Sequence, residues 1–340
     1  MKKVLVQDAV GMTLCHDVTG IGKDFKGPVF RRGHVIEPED VERLLDLGKQ
    51  HIFVWEEHAG EIHEEDAALR LSKLAAVRDG SFTGPSEGKM VLTAQRSGLF
   101  RVNVPLLNAI NSIGDITICT LPDHYPVQPG AKLASMRIVP LVTEERQIEE
   151  AERLCRESER PLLELVRYRP QKIGMIITGS EIYTGRIQDL FQPVIRRKLT
   201  PYGAEVLGCT FCDDDLPMLE AAIQSYLTQG ADIIVMTGGM SVDPDDLTPT
   251  AIRNCGAEVV SHGVPSQPGN MLMLAYLGDT AFVGVPGAAV KAPTTTFDVL
   301  LPQLMTGEKL TRANLVRLAD GGFCQSCGSC HWPNCSYGHY

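Results

Sequence analysis

The sequence predicts an α/β protein. A three-layer α/β/α domain with a mostly parallel sheet is expected to follow smaller, β-rich α+β regions. Two observations carry this expectation. Between residues 170 and 306, short and continuously apolar runs alternate with amphipathic stretches, the pattern of buried parallel strands joined by covering helices. Before them, residues 79–143 hold several strand-like runs separated by glycine and proline.

The elements follow in order. Val4-Leu5-Val6 reads as a strand, Pro38 to Leu47 as a short helix, Ile52 to Trp55 as a strand and Glu61 to Val77 as a helix. Lys89–Ala94, Gly98–Val102, Asp115–Thr120 and Leu133–Val142 read as strands, and the charged stretch Glu144–Arg160 as a connecting helix. The second half reads as strands Lys172–Thr178, Glu205–Cys212, Ala231–Thr237, Ala257–His262 and Thr280–Val285. Helices are expected around Ile187–Leu199, Leu216–Thr228, Thr248–Cys255 and Ala288–Leu304. The expected domains are an α+β region at 1–78, a β-rich region at 79–145, a helical linker at 146–169, the α/β domain at 170–310 and a cysteine-rich tail at 320–340.

Composition narrows the function classes. The chain has 340 residues, with 32 Lys and Arg against 42 Asp and Glu, a net charge of −10. That balance argues against a nucleic-acid or anionic membrane surface. Aromatic residues make up only 6%, a poor basis for a base-stacking platform. No apolar run approaches the roughly 20 residues of a membrane span, and no signal-peptide core is evident, so a cytoplasmic location is expected.

In an open α/β sheet, ligands bind beyond the carboxyl ends of the strands. Here those ends read Thr178-Gly179-Ser180-Glu181, Asp213-Asp214-Asp215, Thr237-Gly238-Gly239-Met240-Ser241 leading to Asp246-Leu247-Thr248-Pro249, and Val285-Pro286-Gly287. Glycines let backbone approach a ligand closely, and exposed N–H groups can hold an oxyanion. Acids beside such an anion call for a divalent cation between them, Mg²⁺ being the natural choice. Each piece also has a plainer reading. Thr-Gly-Gly can be a tight turn, and the aspartates can be helix caps.

These residues resemble the molybdopterin-binding domain shared by molybdopterin adenylyltransferases and molybdopterin molybdenumtransferases. The most specific match is Thr237-Gly-Gly-Met-Ser-Val-Asp-Pro-Asp-Asp246-Leu-Thr-Pro249. Thr178-Gly179-Ser180-Glu181 resembles the Thr-Gly-Asp-Glu turn of the molybdenumtransferases, with Ser180 in place of an acid. Asp189 and Asp213–Asp215 resemble later acids, and Pro268-Gly269-Asn270 and Pro286-Gly287 resemble paired Pro-Gly loops. Where the molybdenumtransferases have a lysine after one Pro-Gly and Asn-Pro after the other, this sequence has Asn270-Met271 and Ala288-Ala289.

The resemblance implies a molybdenum-cofactor biosynthesis protein. It implies a pterin held by Thr178, Gly179, Ser180, Thr237, Gly238, Gly239, Ser241, Pro268, Gly269, Pro286 and Gly287. Glu181, Asp189, Asp214 and Asp246 would place Mg²⁺ and molybdate, with Asp246, Glu181 and Asp214 as the catalytic acids. The implied reaction inserts molybdate into adenylylated molybdopterin and releases AMP. ATP-dependent adenylylation of the pterin and a non-catalytic carrier or sensor are the alternatives, and tungsten in place of molybdenum is compatible with each. The family also implies a homo-oligomer and contact with a molybdoenzyme or other biosynthetic proteins.

A separate signal closes the sequence. Of ten cysteines, four lie in Cys324-x₂-Cys327-x₂-Cys330-x₄-Cys335. Four thiols so close suit an iron–sulfur cluster or a structural zinc, with His331 as a substitute ligand. The bacterial ferredoxin run differs in its last spacing.

Overall fold

A computed structural model describes residues 1–21, 26–56, 58–240 and 246–339. The chain forms two compact units. One comprises Met1–Gln95, Val102–Leu121 and Gly130–Glu164; the other comprises Arg96–Arg101, Pro122–Pro129 and Leu165–Tyr340.

In the first unit, Lys2–Leu5 pairs antiparallel with His51–Val54, and Val18–Ile21 with Lys26–Phe30. Val6, Leu14, Ile36, Leu44 and Ile52 are buried in their common core. A four-stranded antiparallel sheet runs in the order Gly80–Ser86, Lys89–Ala94, Lys132–Ile138, Ile116–Thr120. The stretch expected to be one helix from Glu61 is a strand, Glu61–His63, followed by the helix Glu64–Leu74. The strand pairs with Val142–Glu144. His63 ends it and caps the helix, its Nδ1 accepting from the Glu65 N–H at 3.2 Å. Glu64, Glu65 and Asp66 then occupy the first turn, where the helix dipole favours negative charge. The helix Glu145–Glu157 belongs to this unit, and its Glu152 receives a two-pronged bond from Arg70, 2.8 Å on each prong.

The second unit is built on a six-stranded sheet. Its order is Glu205–Cys212, Lys172–Thr178, Ile233–Thr237, Thr280–Val285, Met273–Leu277, Glu258–His262. The first four strands are parallel and the last two are antiparallel. Strand alternation divides the apolar side chains between two faces. Ile173, Met175, Val235 and Val283 meet the helices Phe191–Leu199 and Thr296–Leu304 through Leu199, Phe297 and Leu301. Ile176, Ile234, Met236 and Phe282 meet Leu216–Thr228 and Thr248–Asn254 through Leu219, Ile223 and Ile252. The result is the expected three-layer domain.

Register levels the strand ends. Thr178 is opposite Cys212, while Thr237 is opposite Ile177 and Val285. Four carboxyl ends therefore open on one edge. The chain leaves Lys172–Thr178 for the neighbour on one side and returns to Ile233–Thr237 on the other, so the strand order reverses between them. That reversal is the crevice where this class of sheet binds ligands.

Candidate functional site

The edge holds a cavity of about 430 Å³. The turn after Ile233–Thr237 contributes Gly238, Gly239 and Met240, and the turn after Thr280–Val285 contributes Pro286, Gly287 and Ala288. Gly269, Asn270 and Met271 form another wall, with Phe191 from a helix start and Asp246.

Close backbone packing shapes these walls. Gly238 has φ of +85°, and a Cβ there would meet the Thr178 carbonyl oxygen at 2.1 Å. Only glycine satisfies both demands. Gly269, at φ +102°, backs onto Thr295 and Thr296. Thr296 fixes that loop, since its N–H and hydroxyl both donate to the Pro268 carbonyl, at 2.9 and 3.2 Å. Thr248 donates to the Gly238 carbonyl at 2.9 Å and ties the Thr-Gly-Gly turn to the helix that follows Asp246.

A polar network adjoins Gly238 through Thr178. The Thr178 hydroxyl donates to Asp214 Oδ1 at 2.8 Å, and the Ser180 N–H donates to Asp214 Oδ2 at 3.1 Å. The Ser180 hydroxyl also donates to the Asp213 carboxylate. That bond, followed by one from the Asp214 N–H, holds the Asp213 carboxyl below the usual carboxylate range. Asp215 caps the next helix by accepting from the Met218 N–H at 2.9 Å. Thr237 Oγ1 is buried and has no hydrogen-bond partner among the described residues.

The expected site residues thus fall into groups. Gly238, Gly239, Asp246, Gly269, Pro286 and Gly287 line the cavity. Thr178, Gly179, Ser180 and Asp214 form the adjoining turn and network. Glu181 is exposed on the short helix Ser180–Tyr183. Thr237 is buried beneath its turn, and Pro268 backs its loop. Asp189 spends both carboxylate oxygens on a helix start, accepting from the Phe191 and Gln192 N–H groups at 2.8 and 2.9 Å. Ser241 lies outside the described residues.

Sequence reasoning did not assign Phe191, Met240, Asn270, Met271 or Ala288 to the site. The last three follow the Pro-Gly pairs directly, which was an available signal. Phe191 offers none, because it reaches the cavity only through the placing of its helix. Among the described residues, no three His, Cys, Asp or Glu side chains converge as they would on a single metal ion. No helix among them is long and apolar enough to cross a membrane.

Residues 174–306 match a family described as a probable molybdopterin binding domain. These residues belong to the molybdopterin-binding domain family. Residues 3–56 match a domain of unknown function. Among curated relatives, a CinA-like protein of Mycobacterium sp. (strain JLS) is 39% identical over 90 residues, covering 26% of this chain and 21% of its own length. A CinA-like protein of Mycobacterium avium (strain 104) is 38% identical over the same extent. The match spans about a fifth of the length of these relatives. Among solved structures, the molybdopterin biosynthesis enzyme MoaB of Thermus thermophilus is 19% identical, with TM-score 0.33 over 41% of this chain and 98% of that one. A molybdopterin biosynthesis protein of Mycobacterium abscessus is 19% identical, with TM-score 0.35 over 41% and 93%.

Proposed function

We propose that the molybdopterin-family domain binds a molybdopterin at the carboxyl edge of its sheet, and that the chain inserts molybdate into the adenylylated pterin with release of AMP. One observation carries the reading: the family's glycine turns and Asp246 line one cavity beyond the carboxyl ends of the parallel strands, where this class of sheet binds ligands. Gly238, Gly239, Pro286 and Gly287 offer backbone to the pterin and its phosphates.

Mg²⁺ fits this donor set. It is held by one or two carboxylates together with substrate phosphates, seldom by an all-protein cage. Asp246 is the carboxylate on the cavity wall, and Asp214 and Glu181 belong to the adjoining turn. Bound there, Mg²⁺ would neutralise charge on the phosphoanhydride. The protein's own part is to position. Thr178 and Ser180 lock Asp214, Thr248 locks the glycine turn, and the glycines admit the phosphates. Water cleaves the phosphoanhydride, so that AMP leaves and the pterin keeps its own phosphate; the two dithiolene thiols pass their protons to one molybdate oxygen, which leaves as water as the two molybdenum–sulfur bonds form.

A second reading, a carrier without turnover, is favoured by Asp189. Both its oxygens serve a helix start, and both oxygens of Asp214 likewise accept hydrogen bonds, so two of the four acids expected to hold metal and molybdate are already engaged.

AMP release from adenylylated molybdopterin, with Mg²⁺ and molybdate and without oxygen, separates the two. The transferase reading expects molybdate-dependent release that falls by about 100-fold in Asp246→Asn. Saturable pterin binding with no release would leave only the carrier. No binding at all would remove both.

A further inference from the structure

We propose that Cys324, Cys327, Cys330 and Cys335 hold a four-iron iron–sulfur cluster, in a cavity that shares the Pro268 loop with the sheet-edge site. All four thiols line one cavity of about 350 Å³ within the second unit. The proposal does not depend on which ligand the sheet edge takes.

The tail that carries them is fastened to the domain. Its backbone bridges the Pro268 loop, with the Gln267 N–H donating to the Gly322 carbonyl at 2.7 Å and the Cys324 N–H donating to the Gln267 carbonyl at 2.9 Å. Tyr337 is 2% exposed in the same core as Phe297 and Val299, and its hydroxyl lies 3.1 Å from Ser266 Oγ. Tyr125 reaches across to donate to Asn334 at 2.5 Å. Thr294 Oγ1 lies 3.1 Å from Cys330 Sγ and orients that thiol. Residues 324–335 are therefore a supported loop, as a bound group requires.

Size and arrangement favour a cluster over zinc. A single zinc with bonds of about 2.3 Å draws four sulfurs to roughly 3.8 Å from one another. Here all four cysteines line one cavity of about 350 Å³, far more room than a single ion fills. A cuboidal cluster places its own iron and sulfide in such a space and takes one thiolate at each corner.

The lining matches this charge and chemistry. Lys291 on the wall offsets the negative charge of a thiolate-ligated cluster. Trp332 also lines the cavity. Its Nε1 is buried with no acceptor among the described residues, and a cluster sulfur would supply one. Pro268 lies on this cavity, while Gly269, Asn270 and Met271, the next residues along, line the sheet-edge cavity. A cluster here would stand one loop away from the proposed pterin.

The test uses the full chain, purified without oxygen and then reconstituted with ferrous iron and sulfide. About four iron and four sulfide per chain are expected, with a broad visible absorption that dithionite bleaches. Cys327→Ser and Cys330→Ser lie on exposed loop positions, so the fold is expected to persist, checked by an unchanged circular dichroism spectrum. Each should lose more than half of the iron and the absorption. Cys119→Ser, an exposed cysteine of the other unit, should lose neither. One zinc per chain without sulfide, or no iron retained after reconstitution, would overturn the proposal. So would iron retained by folded Cys327→Ser and Cys330→Ser variants.

Discussion

Two glycines on one cavity wall make opposite predictions. Gly238 has positive φ and the Thr178 carbonyl against its α-carbon. Gly238→Ala should therefore cost about 2 kcal/mol or more in urea denaturation, from strain and a backbone clash. Gly287 has φ of −54° and open space around its α-carbon. Gly287→Ala should leave stability within about 0.5 kcal/mol of the parent, while weakening pterin binding by filling the cavity. A loss of stability in both variants would detach this effect from the local geometry. Cysteines give a second residue-scale contrast. Burial pushes the Cys209 and Cys212 thiols up to about 11. Near neutral pH they should resist iodoacetamide while exposed Cys119 reacts, as peptide mass mapping would show. The glycine turns and acids were legible because few residue types tolerate such backbone. The direction of Asp189 was not, since one aspartate serves equally well on a metal or on helix N–H groups.

At the scale of elements, the clearest departures come from local chemistry that periodicity does not report. The apolar stretch Ala288–Leu304 reads as one helix, yet it is two, Ala288–Lys291 and Thr296–Leu304. Proline at 293 removes a donor, and Thr295 and Asp298 form a capping box that starts the second helix. The strand Met273–Leu277 passed unassigned although its signal was present. Gly278-Asp279 is a two-residue turn that pairs Leu277 with Thr280. Gly84-Pro85 reads as punctuation, yet Gly80–Ser86 is a strand whose register shifts there, as in an edge-strand bulge. Parallel strands such as Lys172–Thr178 were legible because burial on both faces leaves a continuous apolar run. Asp298 also fastens the second helix to its neighbour. Both its carboxylate oxygens accept from Lys198 Nζ, at 2.7 and 2.8 Å, and the pair is buried. Asp298→Ala should cost about 3–5 kcal/mol by stranding the ammonium. Adding Lys198→Met should recover part of that loss. Equal midpoints for the single and double variants would argue against a stranded charge.

Across the whole molecule, stability should fall on mild acidification. Burial holds His16 and His63 in the first unit, and His339 in the second, below the ordinary histidine value of 6.5. Unfolded histidines then bind protons at a pH where the folded ones do not, so stability drops as pH falls through about 6.5. Each histidine contributes at most about 1.4 kcal/mol per pH unit. Glu64, raised by its own burial, opposes this just above its ordinary 4.5. Asp40 and Glu152, lowered carboxylates, add to the loss only at more acidic pH. The window between about pH 6.5 and 5 therefore belongs mainly to the histidines. His63 explains the sign in atoms. Its Nε2–H donates to the Cys15 carbonyl at 2.7 Å, so its Nδ1 is the acceptor that caps the helix Glu64–Leu74. A proton on Nδ1 would face the Glu65 N–H and remove that cap. His63→Asn keeps a capping acceptor and does not titrate. Urea midpoints across the window should fall less steeply for His63→Asn than for the parent. An equal slope in both would assign the acid sensitivity to His16 and His339.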